Sequence, residues 1–149
     1  MSTTQIPALL QPIIALNGWT FAMELWMYAT RIPVFSRLNI AADNTKIRAD
    51  IDRQTPAPVR WKADNYNNLF EQPTQFYAIA LVLAIARRAA GEAGDNSLDV
   101  KLAWGYVALR IVHSLTHATT NNIMRRFALY VASSGVVAAL GVRAAMLVF

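Results

Sequence analysis

The chain contains no cysteine in its 149 residues. A disulfide framework, a cysteine-ligated metal and a protein thiol nucleophile are all excluded by that absence. Charge is scarce too: 15% of the residues are charged and only nine are acidic. Histidine occurs just twice, as His113 and His117. No basic segment precedes the first apolar run and no small-residue cleavage pattern follows it, so this run is expected to stay with the protein rather than be removed as a signal peptide.

What fills the chain instead is apolar. Hydrophobic residues make up 55% of it, and the mean hydropathy is +0.28. Four stretches, residues 8–30, 69–86, 102–119 and 127–148, come close to the roughly 20 residues needed to cross a bilayer. A soluble helical bundle would need a hydrophilic outer face on each helix, and the fourth stretch offers only Ser133, Ser134 and Arg143. The expected fold is therefore all-α: an integral membrane four-helix transmembrane bundle, formed by one domain over residues 1–149. The net charge of +5 comes mostly from residues beside the spans. No basic face interleaved with aromatics is visible, so no nucleic-acid partner is expected.

The informative residues are the polar ones inside these apolar stretches. Arg110, His113 and His117 fall at i, i+3 and i+7, so a helix presents them on one face, and Tyr106 extends the stripe. Such a stripe is costly in lipid unless it faces other helices or a cavity. The first span carries Asn17, Thr20, Glu24, Tyr28 and Arg31 at helical spacing, and Glu24 is expected to turn inward. Residues 31–61 read as a polar connection with room for a short helix within 44–53. Ahead of the second span, Asp64, Asn68, Glu71 and Gln75 fall at i, i+4, i+7 and i+11, which predicts one polar row entering the membrane. Pro73 predicts a kink or loosened turn in that helix, and Arg87-Arg88 stop it. Residues 91–97 read as a turn, with Asn96 or Ser97 capping the third helix, and Asn121-Asn122 as the turn before the fourth.

The flanking Lys and Arg residues place the first and third loops in the cytoplasm and both termini on the other side. The polar row of the second helix, the lower end of the histidine stripe and Arg126 then converge near the cytoplasmic face. Asn68, Glu71, Arg110, His113, His117, Arg126 and Tyr130, with Glu24 and Arg37 as further candidates, make a set rich in donors and poor in acceptors. Arginine recognises carboxylates through two parallel hydrogen bonds, so an anionic ligand suits the set, with Glu71 free to take an ammonium group. His113 and His117 have the i, i+4 spacing of some metal pairs. No glutamate stands beside His113 in an HExxH arrangement and Arg110 would repel a cation, so no metal is expected. A simpler alternative is that the histidines only hydrogen-bond between helices.

Asn68-x-x-Glu71 followed by Pro73, Arg110-x-x-His113 in the third span and Arg126-x-x-x-Tyr130 opening the fourth together resemble the MAPEG family, the membrane-associated proteins of eicosanoid and glutathione metabolism, and its bacterial members in particular. The resemblance extends from the first span through the fourth. It implies a homotrimer in the bacterial inner (cytoplasmic) membrane, both termini periplasmic, with glutathione as co-substrate. It implies that Asn68, Glu71, Arg110, His113, His117 and Tyr130 bind glutathione and that Arg126 is catalytic, stabilising the thiolate. A lipophilic electrophile or peroxide would arrive from the membrane lipids. Two positions depart from the family pattern: Asn67 stands where catalytic members usually have Arg, and His117 where some have Tyr. A non-catalytic membrane scaffold or accessory subunit that keeps the fold is the alternative to an enzyme.

Overall fold

A computed structural model describes residues 6–40, 45, 47–91 and 97–149. Among them six helices run in the order α1 (Leu10–Arg37), α2 (Arg48–Gln54), α3 (Ala57–Asn68), α4 (Gln72–Ala89), α5 (Ser97–Thr119) and α6 (Ile123–Val148). No strand occurs in the described residues. The stretch Ala57–Ala89 and the helix Ile123–Val148 are each long and apolar enough to cross a membrane. The first and fifth helices, at 28 and 23 residues, have the length, but their polar stripes dilute the apolar windows.

The helices pack as their apolar spacing dictates. The fifth lies at the centre, against the sixth, the third and the first, while the fourth packs on the sixth. Between them Leu16, Phe76, Leu83, Tyr106, Val107 and Leu140 form a sealed core. The rings of Phe76 and Tyr106 stack with their centroids 4.4 Å apart, a separation at which aromatic pairs add to simple burial. Outward, the sixth helix exposes Phe127, Val131, Val142 and Met146, the apolar surface of a helix that meets lipid or another chain rather than water.

The polar row predicted from Asp64 to Gln75 holds only as far as Glu71, because the helix carrying it breaks. Pro73 has no N–H to offer the carbonyl of Leu69, and its ring would strike that carbonyl in a continuous helix. The chain therefore leaves helical geometry at residues 69–71, with Glu71 at φ −86° and ψ −97°, and restarts at Gln72. The restart shifts the phase of every later side chain. Gln75 turns outward and is exposed, whereas Gln72 turns inward and is buried. There Gln72 Nε2 donates to Ser134 Oγ at 2.5 Å, and its Oε1 accepts from Ser133 Oγ at 2.9 Å. A buried amide is tolerable only when so partnered.

One more expectation changes. Arg87 is not simply a solvated stop signal: it is buried and its Nε donates to Asp99 Oδ2 at 2.5 Å. Arg143, from the far end of the sixth helix, reaches the other oxygen of the same carboxylate. The short helix expected within 44–53 is present as α2 over Arg48–Gln54. Ser97 is the first residue of α5, while Asn96 and most of the 91–97 turn lie outside the described residues.

Candidate functional site

The break between α3 and α4 and the turn between α5 and α6 meet at the same end of the molecule, and a cavity of about 440 Å3 lies between them. That is within the usual range for small-molecule pockets. Asp64, Asn67, Asn68 and Glu71 form one wall, His117, Asn121 and Arg126 the other, and Arg48 leans in from α2. Of the residues expected to converge, Asn68, Glu71, His117 and Arg126 line this one cavity.

Arg110 stands directly behind that wall, completely buried. Its Nη2 donates to the backbone oxygen of Asn68 at 3.0 Å and to Asn68 Oδ1 at 2.9 Å. The helix break makes this contact available: beyond it the Asn68 carbonyl keeps only a long turn bond from the Glu71 N–H, at 3.3 Å, and a cation is the natural partner for a helix C-terminus. Asn68 Nδ2 passes the order on by donating to Glu71 Oε2 at 2.6 Å. The remaining donors of Arg110, Nε and Nη1, have no acceptor, and no carboxylate pairs with it among the described residues. A buried guanidinium without a counter-charge is expensive. The site is short of negative charge.

Arg126 is held differently. Asn121, in the left-handed conformation at φ 50° that asparagine tolerates, accepts from Arg126 Nη1 at 2.6 Å. Asn122 caps the sixth helix by accepting from the backbone N–H of Arg125 at 3.0 Å. The two turn-forming asparagines therefore fix both the direction of the last helix and the position of its first functional side chain. Arg126 Nε remains without an acceptor.

His113 and His117 are both buried, with ring centroids 5.9 Å apart in an edge-to-face arrangement. Only His117 reaches the cavity. Neither Nδ1 has a hydrogen-bond partner, so the reading of these residues as interhelical hydrogen bonders finds no bond at that nitrogen in either ring. No set of three or more metal-ligating side chains is present among the described residues.

Three candidates stand apart from the cavity. Tyr130 is 39% exposed on the sixth helix, with its ring 6.4 Å from that of His113. Glu24 lies on the first helix beside Tyr66, and Arg37 is exposed at that helix's end. Conversely, Arg48 was not foreseen in the cavity; its Nη2 donates to Asp64 Oδ1 at 3.0 Å. Ser114, buried one position beyond His113, was missed as well. It accepts from Asn65 Nδ2 at 2.7 Å, and its i+4 spacing from Arg110 was the available signal.

With Arg48 and Arg126 facing Asp64 and Glu71, the lining holds two cations and two anions. The donor excess expected from the sequence is real but sits deeper, in the unpaired N–H groups of Arg110 and Arg126. Such an arrangement suits a ligand that carries carboxylates and an ammonium group together.

Neither a curated protein nor a solved structure matches the chain. The model of the MAPEG family does match, over residues 9–146. That range includes every residue lining the cavity and nearly the whole chain, and the chain belongs to the MAPEG family.

Proposed function

We propose that this protein is a glutathione-dependent transferase or peroxidase that acts on lipophilic electrophiles. The observation that carries the proposal is Arg126, which keeps an unused donor on the cavity wall across from Glu71, with the unpartnered donors of Arg110 buried behind that lining. Glutathione has two carboxylates, an ammonium group and a thiol, and its charges complement this lining. Asn68, held by Arg110, and Glu71 would take the peptide's polar groups, with His117 on the facing wall. His113 would support that wall through its ring contact with His117. Tyr130 would approach the ligand from the sixth helix, on the surface turned toward lipid or a neighbouring protomer.

Arg126 is assigned the thiol. A guanidinium beside sulfur favours the thiolate over the thiol, and the thiolate is the nucleophile that attacks an electrophile at neutral pH. The assembly proposed with this reading is the homotrimer typical of the family, a four-helix transmembrane protomer repeated three times. We place it in a bacterial inner membrane, with the cavity at the cytoplasmic face and both termini periplasmic.

The test is thermal melting of the detergent-purified protein with and without millimolar glutathione. A clear rise in the melting temperature is expected, since a ligand bound only by the folded state stabilises it. No rise overturns the reading.

One observation favours a second reading, a non-catalytic accessory member of the family. Asn67 lines the cavity where catalytic members usually carry Arg. A charge-assisted hydrogen bond contributes about 1.5–3 kcal/mol, so the missing charge weakens glutathione binding roughly tenfold to a hundredfold. Asn67→Arg should recover about tenfold in affinity if the rest of the site is complete. No gain, together with an empty cavity and co-purification with a larger membrane complex, supports the accessory role.

A further inference from the structure

A thiol that becomes a thiolate must give its proton to something. Arg126 stabilises the product of that step but, as a guanidinium already carrying its proton, cannot accept another. If the proton stays in the site rather than passing to solvent, its acceptor is a second group on the cavity wall. Three side chains there can take a proton: Asp64, Glu71 and His117.

Each carboxylate already has one oxygen engaged. Asp64 accepts from Arg48 at 3.0 Å and Glu71 from Asn68 at 2.6 Å. His117 is unengaged by contrast. Its Nδ1 edge is sealed from solvent and makes no hydrogen bond, which leaves Nε2 as the nitrogen that can meet a ligand. The turn that carries Asn121 sets Arg126 on the same wall as His117.

We propose that His117 is the general base of the reaction, a role that rests on the glutathione reading of the cavity. The S–H bond breaks, its electron pair stays on sulfur beside Arg126, and the proton passes to His117 Nε2. The imidazolium so formed would be repelled by the guanidinium groups of Arg110 on its own helix and of Arg126 on the next, with the ring of His113 beside it. The thiolate created in the same step lies between these cations and offsets that repulsion. Glu71, Asp64 and Arg48 complete the charged surroundings, and Tyr130 lies beyond His113. When sulfur bonds to an electrophilic carbon, the imidazolium returns its proton to the leaving group, or to the atom that received the displaced electron pair.

The test uses the full-length protein in detergent with glutathione as the probe. Calorimetric titration near neutral pH, in two buffers of different ionisation enthalpy, counts the protons released. Ultraviolet absorbance reports the thiolate. For the unaltered protein, thiolate should form with well under one proton released per glutathione, because the proton stays on His117. Release of a full proton overturns the proposal without any variant. In His117→Gln, glutathione should still raise the melting temperature, while the pH at which thiolate appears rises by about one unit or more. An unchanged midpoint overturns the proposal, as does an equal shift in Glu71→Gln or Asp64→Asn. His117→Phe, closer to the ring in shape, is the second variant if the glutamine form does not fold. If glutathione fails to stabilise the unaltered protein, the binding reading itself falls and this step falls with it. Stabilisation with unshifted thiolate in both variants removes only the base.

Discussion

The two ends of the helix bundle solve the same problem in opposite ways. At the end where α4 finishes, Arg87 and Arg143 share the fully buried carboxylate of Asp99, and both of its oxygens are taken. At the cavity end, Arg110 is just as deeply buried, yet only its Nη2 is used and its acceptors are a neutral amide and a backbone carbonyl. The first arrangement is closed and holds three helices together. The second is left open at a cost, with two donors of a buried guanidinium unused. Buried charge is fully paired at one end and under-partnered at the other, and the count of unsatisfied donors tells them apart.

The largest effect should come from breaking the closed end. Asp99→Asn leaves two guanidinium groups around one neutral amide, and removal of one partner from a buried charge pair typically costs about 3–5 kcal/mol. A large fall in melting temperature is expected, with any surviving folded protein still responding to glutathione. Next in size is Arg126→Ala. Loss of one donor to a developing anion costs roughly a hundredfold to a thousandfold in rate, so conjugation of a model electrophile should nearly vanish while melting changes little. Conjugation at the unaltered rate would remove Arg126 from the chemistry. The smallest expected effect sharpens the contrast most. Arg110→Met removes an uncompensated buried cation, so stability without ligand should hold or rise slightly, whereas glutathione affinity should fall about tenfold to a hundredfold. If Arg110→Met destabilises the protein as severely as Asp99→Asn, the two ends are equivalent and the comparison fails.

Features written in local spacing were legible in the sequence. The shared face of Arg110, His113 and His117 needs only the helical repeat, and Asn121-Asn122 announce their turn by residue type alone. Pro73 announced the loosened helix. It could not announce the new phase after the break, which is why the inward glutamine proved to be Gln72 rather than Gln75. Contacts assembled from distant elements were harder still. Asp99 draws its partners from residues 12 and 44 positions away, and nothing in the local pattern marks Arg87 and Arg143 as converging on it. Arg48 belongs to the same class, since its contact with Asp64 depends on how α2 folds back over the cavity. Membership of the family added what spacing lacked, the grounds on which a peptide thiol is proposed for the cavity.

The interruption at residues 69–71 has one more consequence. Because α3 and α4 are separate helices, the segment bearing Asp64, Asn67 and Asn68 does not share its rotation with the apolar shaft that follows Gln72. Substitutions within the shaft, even an inserted residue that turned it by about 100°, would not have to carry the recognition groups around with them. Under the proposed function, the segment that would recognise the ligand and the apolar shaft could therefore vary separately.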